Sequence, residues 1–458
     1  MLRLAAMTCA ALLAASTAAA APYYGKRSSE ARFRFEGRVE SSRLASQPGT
    51  PTEDQALELI EDQLQHLFGP WSVTRAKAVP SGRHEIVIRA IRARRNRPTV
   101  IDYSYEGVIV LESVPGETGG TTGSFDAILP VDPDTIYSAG LVAGRNACTD
   151  SHYNGESDFW YFWAPAPHHE DCPLVEGRDF FTLRGRFSRI PNTRTTYPEY
   201  HRLADPKTGV IEVNAFFGMD DPSRHSADPD RSGDINARSY RELRSELEGM
   251  GYSLERLDGA EQLKLIRDPV VFSKGHTLER LIRKTRRGII RIHLFFGATA
   301  IEEESRMFHL LYRRALEQSS VLLYNGHSGL GGHLDLSSIE EVDGIDIDLP
   351  RDRYQIYFFN SCSSYTYYNR SYFSRKRSSQ DRAGSRNLDI LANGLATYFE
   401  LENETDLALL RAIDAWANTG TWTSYQTLAG TIDSDNLFGV NGDEDNPTEP
   451  AREAALRR

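Results

Sequence analysis

Apolar and polar positions change their rhythm along this chain, and the change divides it. Near the start, Thr52-Glu53-Asp54-Gln55 has the form of a capping box, and Leu57, Ile60, Leu64 and Leu67 then recur at helical spacing up to Gly69-Pro70. Two strand-like runs follow at residues 85–93 and 99–112, and a Gly/Thr-rich stretch at 116–123 reads as a boundary. Residues 21–120 are therefore expected to form a small α+β domain. Residues 125–205 are rich in aromatics and loop formers, as in Phe159-Trp160-Tyr161-Phe162-Trp163.

From residue 210 the pattern alternates strands with helices. Apolar strands are expected at 210–217, 252–257, 289–296, 320–324 and 354–359. Asp234 can cap a helix carrying Tyr240, Leu243 and Leu247 on one face and ending near Gly251. Residues 277–287 read as a helix closed by Gly288. Residues 300–316 read as another, with Glu302, Glu303 and Glu304 at its start and Arg313 and Arg314 at its end, in the order the helix dipole favours. Two more helices are expected at 387–401, with Leu388, Leu391 and Leu395 on one face, and at 406–416. Strands separated by helices imply an α/β fold with a mostly parallel sheet covered on both faces. The tail at 431–458 is acidic, then basic, and is expected to be mobile.

Composition narrows the functional classes. The 458 residues suggest about three domains. Hydrophobic content of 40% and charged content of 26% are those of a globular chain. A net charge of -11 argues against nucleic acid as a partner, because phosphate would be repelled. Arg3, the apolar run at 4–15 and the small residues at 16–21 have the form of a signal peptide over residues 1–20, with cleavage after Ala19 or Ala20. Ala6-Met7-Thr8 is a poor lipobox for Cys9. No later stretch reaches the about 18 apolar residues of a membrane span. The expected localisation is exported: periplasm, cell surface or extracellular space.

In that compartment Cys148 and Cys172 suit a local disulfide, which leaves Cys362 outside the pair. Zinc is the alternative, with Cys148 and His152 facing His168 or His169 and Cys172, although oxidising conditions favour the disulfide.

Two expected strand ends carry reactive side chains, where open α/β sheets gather their ligands. Val321-Leu322-Leu323-Tyr324 runs into Asn325-Gly326-His327-Ser328-Gly329, and Tyr357-Phe358-Phe359 runs into Asn360-Ser361-Cys362. A thiolate can attack an amide carbonyl while an imidazole shuttles the proton to the leaving amine. Backbone N–H groups must then face the oxyanion, and glycines let the chain approach that closely.

At these residues the sequence resembles the caspase, legumain, clostripain and gingipain group of cysteine peptidases. Their signature is an apolar strand ending in His-Gly and a later one ending in Ala-Cys or Ser-Cys. Ser361-Cys362 matches the second half, while His327-Ser328-Gly329 carries an inserted serine in the first. The resemblance covers about residues 210–420 and implies a caspase-like α/β domain over 208–430. It implies His327 as base, Cys362 as nucleophile, and the Ser328 or Gly329 amide as oxyanion donor. A protein or peptide would be the substrate, and no cofactor is required. It also implies that the basic stretch 370–386, expected as an exposed loop, could be cut by the enzyme itself.

Other readings stay open. A non-catalytic binding or surface module on the same fold is one. A metal-dependent hydrolase using His327, His333 and Asp335 is another. Asn441, Asp443 and Asp445 alternate as in some calcium loops but lack the turn glycine and distal glutamate of an EF-hand. Oligomeric state is not legible in the sequence.

Overall fold

The computed structural model describes residues 25–45, 50–73, 77–94, 97–113, 121–190, 195–266, 275–301, 305–397, 402–433 and 436–450. The expected signal peptide and the Glu302–Glu304 turn lie outside these residues.

The N-terminal half builds one antiparallel sheet from β1 (Ser28–Ser41), β2 (Ala78–Arg94), β3 (Arg97–Glu112), β4 (Thr122–Pro130) and β7 (Phe180–Arg189), ordered β2-β3-β1-β7-β4. Between β4 and β7 lies a small ribbon of β5 (Leu141–Val142) and β6 (Arg145–Asn146). The sheet is hydrophobic on one face because Phe33, Phe35 and Val39 alternate with charged residues along β1. Helix Glu53–Gln65 covers that face with Ala56, Leu59, Ile60 and Leu64, and it starts at the Thr52/Gln55 capping box. Most of the Gly/Thr-rich stretch lies outside the described residues; β4 begins at Thr122 and pairs with β7 in this sheet. The chain thus returns to the sheet as β7 after the aromatic segment.

That segment is stapled by a disulfide between Cys148 and Cys172, 24 residues apart. The bond excludes the zinc alternative, which needs both thiolates. Phe159, Trp163, Leu174 and Phe180 pack around it.

The C-terminal half forms a mixed sheet of β8 (Val210–Gly218), β9 (Ser253–Arg256), β10 (His276–Thr285), β11 (Gly288–Gly297), β12 (Val321–Asn325), β13 (Gln355–Asn360), β14 (Leu388–Ala392) and β15 (Gly439–Asn441). Its order is β15-β14-β13-β12-β8-β11-β10-β9. The central strands β14, β13, β12, β8 and β11 run parallel, and both edges are antiparallel. The sheet is therefore mixed, not mostly parallel, for two reasons. Residues 277–285 are a strand and not a helix: β10 returns directly into β11 through a tight turn at Gly288. The tail also folds back, and Val440 pairs with Leu391. A third correction concerns 387–401, whose first part is strand β14 and not a helix.

Both faces are covered. Val213, Ala215, Leu323, Ile356 and Phe358 meet helices Ile235–Gly249, Glu402–Thr419 and Tyr425–Ile432. Phe216, Leu322, Tyr324, Tyr357 and Phe359 meet helices Arg306–Gln318, Leu336–Asp343 and Ser364–Lys376. These helices include part of the expected basic loop. Residues 370–376 are helical, with Tyr372 and Lys376 buried, so only the stretch from Arg377 remains as turns. Among the described residues no helix is long and apolar enough to cross a membrane.

Candidate active site

Strands β8, β12 and β13 are neighbours, and each stops just short of a polar side chain. Asn325 pairs with Asn360 across β12 and β13, and with Phe217 across β12 and β8. His327 and Cys362 each lie two residues beyond the paired asparagines, and Asp220 lies three beyond Phe217. Cysteine, histidine and aspartate thus follow one another in sheet order at the carboxyl ends of three parallel strands.

Asp220 and His327 are joined directly, with His327 Nε2 2.7 Å from Asp220 Oδ1. Both side chains are open to solvent, at 39% and 45% exposure, so the pair can meet a substrate from outside. With the Nε2 hydrogen on the carboxylate, the lone pair on Nδ1 becomes the basic position of the ring. Asp220 is itself held in place, because Asp234 Oδ2 accepts from the backbone N–H groups of Asp220 (2.9 Å) and Asp221 (3.2 Å). The same Asp234 caps the next helix through its other oxygen.

The loop after β12 is tightly wound. Gly326, Gly329, Leu330 and Gly331 all have positive φ, which leaves Leu330 at 51° as a strained non-glycine residue. The His327 carbonyl accepts from Tyr324 Oη (2.7 Å) and sits 3.0 Å from His333 Nδ1, while the Ser328 carbonyl accepts from Tyr368 Oη at 3.1 Å. These bonds fix the backbone on which His327, Ser328 and Gly329 sit. His333 serves the loop, and Asp335 caps helix Leu336–Asp343 by accepting from Ser338 N at 2.8 Å. His327, His333 and Asp335 are thus not gathered as ligands. Among the described residues no group of three or more His, Cys, Asp or Glu could hold a metal ion.

Cys362 is half-buried and lies outside any disulfide among the described residues. Its sulfur is 3.9 Å from the Thr397 carbonyl oxygen. The next residue, Ser363, has φ 52° and turns the strand sharply into helix Ser364–Lys376. Cys362 therefore sits at the start of a helix, where the dipole favours negative charge. The turn is braced twice: Ser363 N donates to Leu395 O (3.0 Å), and Ser363 Oγ lies 2.6 Å from Tyr161 Oη. Ser361, in contrast, is fully buried, and among the described residues its hydroxyl has no hydrogen-bond partner.

Tyr161 comes from the disulfide-stapled segment, which reaches across to this site. Burial pushes the Tyr153 phenol up to about 12, and nearby Cys362 adds to the shift. Burial acts in the same way on Tyr161, again reinforced by Cys362. An aromatic wall thus stands beside the sulfur. The N-terminal sheet also grips the helix that follows Cys362. Tyr365 Oη donates to Glu30, which also accepts from Arg83, and Arg83 donates to Tyr365 Oη at 3.2 Å.

Beneath the site runs a buried amide chain. Asn325 Nδ2 donates to Asp406 Oδ2 (2.6 Å), Asn360 Nδ2 to Asn325 Oδ1 (3.0 Å), Asn393 Nδ2 to Asn360 Oδ1 (3.3 Å), and Asn436 Nδ2 to Asn393 Oδ1 (2.8 Å). Burial pushes Asp406 up to about 7, with the two asparagines opposing the shift.

Sequence reasoning named His327 and Cys362 and missed Asp220 and the asparagine chain. The signal for Asp220 was available: it too follows an apolar strand that ends in glycine.

At the tail, Asn441 accepts from Asn369 and Asp443 from Thr196, so two of the alternating residues are held in buried internal contacts. Burial raises Asp443 to about 6 and Glu444 to about 8. Compared with known proteins, the chain matches no family model, no curated protein and no solved structure.

Proposed function

We propose that this chain is an exported cysteine hydrolase, most simply an endopeptidase, with Cys362 as nucleophile, His327 as general acid and base, and Asp220 orienting the imidazole. The observation that carries the reading is the sheet-order sequence of sulfur, imidazole and carboxylate at three adjacent strand ends. The caspase-like character of the fold belongs to this proposal. It is supported by five central parallel strands and by the placement of the two reactive residues on neighbouring ones.

In this scheme the Cys362 thiolate attacks the carbonyl carbon of the scissile amide. The oxyanion that forms is met by the backbone N–H of Ser328 or Gly329. The C–N bond breaks as protonated His327 gives its proton to the departing amine, leaving a thioester. Water then attacks the thioester, His327 takes its proton, and the acid leaves as the thiol is restored. Asp220 holds the ring and offsets its charge when it is protonated. No metal enters these steps, and the commitment of Asp335 to a helix cap and His333 to a carbonyl weighs against the metal-dependent alternative. Export is supported by the signal-like first residues and by the Cys148–Cys172 bond.

The test is digestion of a diverse peptide library by the purified chain, read by mass spectrometry. Cleavage is expected with the native chain, blocked by an alkylating reagent, unaffected by a chelator, and absent in Cys362→Ala and His327→Ala. Cleavage that survives Cys362→Ala, or none at all beside an unreactive thiol, would reject the reading in favour of a metal site or a binding module respectively.

A further inference from the structure

The outer face of the N-terminal sheet carries a charge arrangement that the cysteine site does not explain. Arg34 on β1 and Arg186 on β7 are direct cross-strand partners, so both project on one face. Both are exposed, as is Arg32, which stands two residues from Arg34 and opposite Ser188. On the other side of β7, Ser124 is paired with Arg186. These residues line one open depression of about 500 Å³, together with the carboxylate-bearing Glu106 opposite Arg34. Among the described residues, none of the three guanidinium groups makes an ion pair, not even with Glu106.

What sets these three apart is that they converge on one hollow. Nearby on the same sheet Arg38 and Arg92 both pair with Asp102, and Arg184 pairs with Asp126. Like charges directly across a strand pair are destabilising. The hollow thus holds three positive groups against one negative group.

We propose that Arg32, Arg34 and Arg186 form a binding site for a phosphate or sulfate ester of a soluble ligand. Several guanidinium forks and the hydroxyls of Ser124 and Ser188 present more donors than a lone carboxylate can accept, whereas a tetrahedral oxyanion can engage them together. A membrane headgroup layer fits less well, because a flat anionic surface would also meet Asp102 and Asp126 on the same sheet.

Inorganic pyrophosphate and sulfate are the probes, titrated into the full chain by calorimetry and thermal unfolding against sodium chloride of equal ionic strength. Pyrophosphate is expected to bind and raise the unfolding temperature where chloride does not. In Arg34→Gln/Arg186→Gln its affinity is expected to fall by about tenfold or more. Without ligand this variant should be at least as stable as the native chain, because the cross-strand repulsion is gone, so loss of binding is separable from unfolding. Arg184→Gln should bind as the native chain does. The proposal is overturned if pyrophosphate and sulfate act only as chloride does, or if the double variant binds as tightly as the native chain. Sedimentation with phosphatidylglycerol vesicles without binding of either soluble anion would also overturn it, in favour of a lipid surface.

Discussion

The side-chain amide of Asn360 donates to the side-chain oxygen of Asn325 at 3.0 Å, locking together the ends of the two strands that lead to Cys362 and His327. The pair is fully buried, and each asparagine has further partners in Asp406, Thr405 and Asn393. Relative placement of sulfur and imidazole is therefore set by a hydrogen-bonded layer beneath them. Truncating Asn360 to alanine strands several donors and acceptors at once. A loss of about 2–3 kcal/mol in unfolding free energy is expected, measured by urea denaturation.

Asp406 gives that layer a pH dependence. Its native pKa is about 7, raised from 3.8 by burial. The native state therefore keeps a proton that the unfolded chain has released. Stability is expected to fall as pH rises from about 4 to about 7, by at most ~4 kcal/mol, and then to level off. Asp406→Asn should remove this part of the slope and be more stable than the native chain near pH 8. Unfolding curves across pH that are parallel for the two proteins would contradict the assignment.

Asp220→Asn tests the orienting role. The amide can still reach His327 but cannot offset an imidazolium charge. Peptide hydrolysis is expected to slow by about a hundredfold with the fold unchanged. An unaffected rate would remove Asp220 from the catalytic group.

Tyr365, Glu30 and Arg83 form one buried contact between the two halves. Glu30 is 1% exposed, so Tyr365→Phe deprives a buried carboxylate of a donor. A loss of about 1.5–3 kcal/mol is expected by denaturant unfolding. The change should also alter the reactivity of Cys362, since Tyr365 belongs to the helix that follows it.

Replacing Cys148 and Cys172 by serine opens a loop of 24 residues. The expected cost is about 3 kcal/mol from loop entropy, seen as a lower denaturation midpoint. Because the staple holds the segment that bonds Ser363, the thiol should become more exposed to reagents in the same variant.

Much of this was readable in the residues themselves. The strands β8, β11, β12 and β13 are largely apolar because both faces are buried, and their ends were marked by glycine, asparagine and the reactive pair. The capping box at Thr52 and the disulfide were equally legible. The failures have physical causes. Leu388 and Leu391 fall three apart, a helical interval, yet they lie in a five-residue strand buried on both faces, where no alternation betrays the period. Residues 277–285 have a basic, helix-like end, but pairing with β11 overrides it. Lys376 read as a surface charge. It is buried instead, with its ammonium donating to the carbonyls of Arg353 (2.8 Å) and Asn387 (2.9 Å), and burial lowers it to about 7. Asp220 was missed because its partner, His327, is 107 residues away in sequence.

The most direct test of the paired thiol and imidazole is the rate of Cys362 alkylation by iodoacetamide across pH, followed by mass spectrometry in the native chain and in His327→Ala. Fast labelling persisting below pH 7 is expected in the native chain, with a steep loss in the variant, because the imidazolium holds the sulfur as thiolate. Labelling that rises only near pH 8.5, as for an ordinary thiol, and is indifferent to His327 would contradict the account.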